Sequence, residues 1–168
     1  MNDFIISCGS TADLSEETAK KRNIAVLPFC FRIGETDYAD DFGKSISNEE
    51  FYKLTSGGAK VKTSQISSGR YVEFFEPFLK DGKDVLHITL SSGLSGTYES
   101  CLSAKKELEA KYPERKVYVI DSLCGSMGYG MLVLSAADYR DEGRSAAEIA
   151  ALLEEDRKKI KAFYFTPD

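Results

Sequence analysis

Four Ser/Thr-rich stretches carry residue types that could do chemistry: "SCGSTAD" (7–13), "KTSQISSG" (62–69), "SSGLSGT" (91–97) and "DSLCGS" (121–126). The third follows the apolar run "LHITL" directly and leads into a helical pattern. Three chemistries suit such a junction: a serine nucleophile on a sharp turn, a phosphate cradle, or a seat for another anion. A nucleophile elbow needs G-x-S-x-G, whereas Gly93-Leu94-Ser95-Gly96-Thr97 ends in threonine. A Ser–His–acid hydrolase also needs a base. The single histidine, His87, alternates with Val85 and Thr89 inside a strand pattern, as a structural, sheet-facing side chain would. A Walker-type loop needs lysine after its second glycine, and none stands here. "GSMGYG" (125–130) echoes a dinucleotide fingerprint but reads as glycines of a packed helix.

What remains is a strand end running into a helix whose first N–H groups are free. Such a terminus carries partial positive charge and attracts anions without a basic side chain. Hydroxyls from Ser95 and Thr63 add neutral hydrogen bonds, a combination that suits a carboxylate better than a phosphate, which recruits Lys or Arg. Ser, Thr, Asp and Gly are also the ordinary residues of helix caps, so any one of these turns is equally a cap. Their number and shared sheet edge favour a site. The aromatic stripe around Phe75 and the apolar helix at 126–137 could wall an apolar cavity, although core packing accounts for those side chains equally well.

The elements that must position these turns alternate along the chain. Strand-like runs rich in Val, Ile, Tyr and Phe occupy 4–7, 24–33, 84–90, 116–121 and 161–165. Tyr71, Phe74, Phe75, Phe78 and Leu79 form one helical stripe, interrupted by Pro77, which should kink it or loosen its last turn. A second helix is expected over 97–111, with Tyr98, Cys101, Leu102, Lys105 and Leu108 on one side and Pro113 stopping it. A third covers 126–141, where Gly128 and Gly130 permit close approach to a neighbour. A fourth opens at Ser145, with Glu148 completing a capping box. Strand–helix alternation predicts an α/β fold, a mostly parallel sheet covered by helices on both faces, with ligands gathering beyond the carboxyl ends of its strands.

Composition narrows the function classes. The chain has 168 residues, 42% hydrophobic and 29% charged, enough for one domain with a core. Its net charge of −5 and lack of a basic stripe argue against nucleic acid. "KKELEAKYPERK" alternates sign and reads as a solvated helix face. No apolar run approaches a membrane span, and "MNDFIISCGS" lacks the form of a signal peptide, so a cytoplasmic protein is expected. Cys8, Cys30, Cys101 and Cys124 form no CxxC pair and no metal-ligand spacing. They read as free, mostly buried thiols, and neither metal nor cofactor is called for.

At these residues the chain resembles the DegV family of bacterial fatty-acid-binding proteins. The matching pieces are "STADLSEE" (10–17), "VLPFCF" with "DYADD" (26–41), "FYKL" (51–54), "KTSQISSG", "LSSGLSGTYES" (90–100), "VYVIDS" (117–122) and "SMGYGMLV" (126–133). The resemblance implies a three-layer α/β sandwich, the fold shared with dihydroxyacetone kinase-type domains. It also implies a long-chain fatty acid whose carboxylate is held by Thr63 and Ser95, with Gly96, Ser92 and Ser10 nearby and the tail in an apolar tunnel. A separate fatty acid kinase catalytic subunit would then make acyl phosphate for phospholipid synthesis, leaving this chain a carrier and not an enzyme. Three features depart from the family pattern. Cys8-Gly9-Ser10 replaces T-D-S in the first loop, and Ile66 and Ser68 replace two prolines after the TSQ. The chain also ends at "FYFTPD", where family members continue into a second lobe of roughly a hundred residues. Residues 1–168 thus correspond to the first lobe, and weak or absent fatty-acid binding is expected of them alone. Two other readings remain open from the residues: a small phosphotransferase or serine hydrolase using Ser95, and a regulatory domain without a ligand.

Overall fold

Runs of β-branched and aromatic residues become the strands, and the stretches between them become the helices, four of them capped by serine. The computed structural model describes residues 4–163. β1 (Phe4–Gly9) passes through a single 3-10 turn (Ser10–Ala12) into α1 (Glu16–Lys21) and β2 (Ile24–Leu27). β3 (Cys30–Ile33), β4 (Thr36–Ala39), α2 (Asn48–Ser56) and β5 (Val61–Ser64) follow. The rest is α3 (Ser68–Lys80), β6 (Asp84–Thr89), α4 (Thr97–Lys111), β7 (Val117–Asp121), α5 (Ser126–Asp141) and α6 (Ala146–Asp156).

Four strands form a parallel sheet in the order β2-β1-β6-β7. The two-residue period of a strand sends alternate side chains to opposite faces. Ile6, Cys8, Leu86, Ile88 and Ile120 pack with Leu132, Val133, Ile149 and Leu153 of α5 and α6. Val85 and Val117 pack with Tyr71, Phe75 and Leu79 of α3 and with Cys101, Ala104 and Leu108 of α4. The result is the expected three-layer sandwich. The buried stripe of α4 runs through Thr97, Cys101, Ala104 and Leu108, so Tyr98, Leu102 and Lys105 lie off the face expected for them. Pro77 is carried within α3, which continues to Lys80. Ser145 and Glu148 form the reciprocal capping box at the start of α6.

The 24–33 run is not one strand. Pro28 interrupts it, because proline cannot donate to a ladder, and the chain leaves the parallel sheet after Leu27. β3 then forms an antiparallel sheet in the order β4-β3-β5, with Phe31 opposite both Tyr38 and Thr63. Residues 161–163 adopt no strand, and the remainder of the 161–165 run lies outside the described residues.

One buried side chain terminates the pairing of the two central strands. Tyr129, fully buried on α5, accepts the Gly9 N–H at 2.7 Å and donates its hydroxyl proton to the Ile88 carbonyl. β1 and β6 pair as far as Cys8 and Ile88. The hydroxyl therefore sits where a Gly9–Ile88 bond would form the next rung. The next residue, Gly130, lies against the Ala12 carbonyl so closely that a β-carbon there would overlap the oxygen. These two contacts seat α5 on the first loop.

His87 is fully buried on the α3 side of the sheet, its Nδ1 2.9 Å from Ser7 Oγ and its ring edge-on to Tyr71 and Phe75. Burial pushes its pKa down to about 3. The unfolded chain protonates this group near its ordinary value of about 6.5, so between the two values the unfolded state binds a proton that the native state does not. Stability is therefore whole above about pH 6.5 and falls as the pH drops toward 3, by up to about 1.4 kcal/mol per pH unit.

Three outcomes follow. His87→Asn, which keeps a partner for Ser7, should flatten the dependence of urea-unfolding stability on pH between about 6.5 and 5, and an unchanged slope would refute the assignment. Tyr129→Phe leaves a buried N–H and a buried carbonyl without their partner and should cost about 1–3 kcal/mol in the same measurement. Gly130→Ala meets backbone that cannot turn aside and should cost a similar amount, about 1–3 kcal/mol, through overpacking.

Candidate functional site

The carboxyl ends of β1, β6 and β7 bring three of the four polar turns to one edge. After β1, Ser10 is buried and its Oγ accepts the Phe29 N–H at 3.0 Å. That bond ties the first loop to the segment joining the two sheets, and it commits the Ser10 side chain to structure. After β6, the Ser91 carbonyl accepts the N–H groups of Leu94 and Ser95 at 3.0 and 3.2 Å, folding the Ser/Gly cluster into a tight turn. The Ser91 N–H donates to the Cys124 carbonyl at 3.0 Å, which clips this turn to the loop after β7.

Asp121, buried at the end of β7, organises the same edge. Its carboxylate accepts the Ser92 N–H at 3.0 Å, the Ser92 hydroxyl at 2.6 Å and the Leu123 N–H at 3.1 Å. Ser92 is thereby committed to Asp121. The loop that follows holds Leu123 at a φ of 55° and Ser126 at 51°, left-handed values uncommon for residues with a side chain. Leu123 and Leu94 are both exposed at this edge.

Ser95 is half-buried at the entry to α4, its Oγ 2.8 Å from Thr97 Oγ1 and accepting the Thr97 N–H at 3.2 Å. Its oxygen thus meets the first N–H of the helix and sits at the positive end of the helix dipole. Gly96 is the N-cap residue, and the end of the Gln65 side chain lies directly on it. A β-carbon at Gly96 would overlap Gln65 Oε1 and stand 3.3 Å from its Cδ.

Thr63 belongs to neither a turn nor the parallel sheet: it lies in β5. It lines a groove of about 700 Å³ together with Ser10, Phe29, Phe31, Phe42, Ile46, Phe51 and Val61. Phe31 stacks on Tyr38 with ring centroids 5.6 Å apart and meets Phe51 edge-on at 5.5 Å. Thr63 is exposed and its hydroxyl has no hydrogen-bond partner among the described residues; Asp13, Glu16, Asp40 and Asp41 also line the groove, and neither Lys nor Arg does. Ser95, Ser92 and Gly96 are not in its lining. Gln65, two residues beyond Thr63, makes the link between the groove wall and the start of α4.

The expected cavity between the aromatic stripe and the 126–137 helix does not form. Tyr71 and Phe75 of α3 pack on one face of the parallel sheet, and Leu132 and Val133 of α5 pack on the other. The aromatic lining comes instead from the 29–51 region. Its signal was the alternation Phe29-Cys30-Phe31-Arg32-Ile33, a half-buried strand pattern lying within an apparently continuous run. Of the four cysteines, Cys8, Cys101 and Cys124 are buried and Cys30 is exposed; all are free thiols. No group of three or more His, Cys, Asp or Glu among the described residues could hold a metal ion. No helix among them is long and apolar enough to cross a membrane.

The fold recurs in known proteins. A family model described as "Uncharacterised protein, DegV family" matches residues 4–168. A DegV domain-containing protein of Clostridium perfringens is 37% identical over 168 residues, all of this chain and 57% of the relative. Among solved structures, a DegV family protein from Thermus thermophilus, described for its fatty acid binding, superposes with a TM-score of 0.81 at 28% identity. That match covers 94% of this chain and 54% of the other. A stearic acid-binding protein from Eubacterium ventriosum matches with the same TM-score and identity, over 90% of this chain and 52% of its own. The chain thus spans little more than half the length of these relatives, and, with a family model matched from β1 onward and more than a third of its residues shared with a family member, it belongs to the DegV family.

Proposed function

We propose that the protein binds one long-chain fatty acid, holding its carboxylate between the hydroxyls of Thr63 and Ser95 and its tail along the aromatic groove, and that it presents the carboxylate to a separate kinase subunit. The observation that carries this reading is the exposed Thr63 hydroxyl on the wall of a groove that Phe29, Phe31, Phe42 and Phe51 line together with Asp13, Glu16, Asp40 and Asp41. A groove with such walls favours an acyl chain, since each methylene buried contributes about 0.8 kcal/mol. The absence of Lys and Arg from its lining leaves a carboxylate to be met by hydroxyls and by the N-terminus of α4. The fatty acids named for the Thermus and Eubacterium relatives support the same ligand class.

An enzyme built on Ser95 has less support. The only histidine is bonded to Ser7 within the core, and the Ser95 oxygen is engaged by Thr97. A carrier needs a face for its partner, and the exposed Leu94 and Leu123 beside the Ser95 turn supply an apolar rim for one. Ser10 and Ser92 act in this reading by fixing loops rather than by touching the ligand.

Because residues 1–168 alone are expected to bind weakly, two measurements on the full-length protein test the reading. Protein purified from a bacterial host should carry fatty acid detectable by native mass spectrometry, and a protein consistently free of lipid and unable to take up oleate would refute it. Thr63→Val combined with Ser95→Ala should weaken binding of a fluorescent fatty acid by about 3–6 kcal/mol, the worth of two hydrogen bonds to a charged group. Undiminished affinity would remove these two residues from the carboxylate site.

A further inference from the structure

The two proposed carboxylate ligands lie on different sheets. Thr63 is on β5, hydrogen-bonded in its ladder to β3, while Ser95 follows β6 of the parallel sheet. No strand ladder joins the two sheets, so something else must set the spacing between these hydroxyls. The stretch from Thr63 to Ile66 crosses that gap. Ile66 is buried with Tyr71 and Phe75 beneath α3, which anchors the far end of the stretch. Between the two, Gln65 reaches across to the first turn of α4 and rests on Gly96.

We propose that Gln65 is the positioning residue of the carboxylate site: its amide packs on Gly96, and this contact, which only glycine admits, sets Thr63 against the start of α4. The inference rests on the fatty-acid reading above for its ligand, but the contact itself does not. A side chain of any size at Gly96 would occupy the volume of the Gln65 amide oxygen. The overlap falls on the tip of a flexible side chain, unlike that at Gly130, where it falls on backbone. Gly96→Ala therefore leaves the fold intact and displaces Gln65. The amide also suits its place chemically, because its carbonyl dipole meets the positive end of α4 without bringing the full charge that would repel an incoming carboxylate. Gln65 directly follows β5, with only Ser64 between it and Thr63, so a shift of Gln65 is passed along the backbone to Thr63.

The test, made in the full-length protein, is a steric exchange read by competition with a fluorescent fatty acid, alongside thermal unfolding and amide hydrogen exchange. Gly96→Ala and Gln65→Asn alone should each weaken binding by about tenfold, with the melting temperature essentially unchanged. The pair Gly96→Ala with Gln65→Asn should recover most of the loss, since the shorter amide makes room for the added methyl group. In the absence of fatty acid, Gly96→Ala should speed amide exchange in Val61–Ser64, and Gln65→Asn should reverse that increase. Equal losses from Gly96→Ala whatever stands at residue 65, or no change in exchange across β5, would overturn the proposal. Failure of the wild-type protein to bind any fatty acid would overturn the ligand assignment instead, and the exchange data would still decide the role of Gln65.

Discussion

The hydroxyl of Tyr129 takes the N–H of Gly9 and gives its own proton to the carbonyl of Ile88, at the level where β1 and β6 would otherwise form their next rung. A parallel pair that simply continued would carry the two following loops side by side in one plane. With a phenol between them the backbones part, and the first loop turns toward Phe29 while the second closes on itself around the Ser91 carbonyl. The general tendency of open α/β sheets to bind ligands where adjacent strands diverge here has a specific atomic cause. It also explains why α5 begins with glycines, since Tyr129 can reach the strand ends only if Gly130 lies directly on Ala12.

The edge created in this way divides its polar residues between two tasks. Ser10, Ser92 and Asp121 are consumed in holding loops to one another. Thr63 is left unengaged, and Ser95 shares its oxygen only with Thr97 at the start of α4. A buried polar group without a partner is costly, and the rigid part of the edge pairs Ser10, Ser92 and Asp121 while leaving the buried Thr11 hydroxyl without a partner. The hydroxyl that remains available is the one facing an open groove.

Much of the fold was legible because its signals are local. Strand runs at 4–7, 84–90 and 116–121, the helix bounds at 97–111 and 126–141, and the Ser145–Glu148 box each follow from composition and spacing within a few residues. His87 was readable for the same reason, through its alternation with Val85 and Thr89. What could not be read depends on which element meets which. The 24–33 run is continuous in hydrophobicity, yet Pro28 ends its ladder and hands β3 to another sheet. The helices expected to wall a cavity have the right residues but pack on opposite faces of the sheet. Ser92 and Thr63 belong to the same residue class, and only the position of Asp121, 29 residues further along the chain from Ser92, separates a loop pin from an available hydroxyl.

The small antiparallel sheet differs from the parallel one in how much it buries. Every residue of β5 is exposed and α2 contributes no buried side chain, whereas Ile6, Cys8, Val85, Leu86 and Ile88 of the central strands are sealed from solvent. Elements with few buried contacts open at a fraction of the free energy of global unfolding. The proposed carboxylate site, with one hydroxyl on each sheet, therefore joins two regions of unequal stability. Escape of a bound molecule then requires only the weaker region to part, leaving the sandwich folded. Residence time and thermal stability become separately adjustable, the first through residues 29–65 and the second through the core beneath α3 and α5.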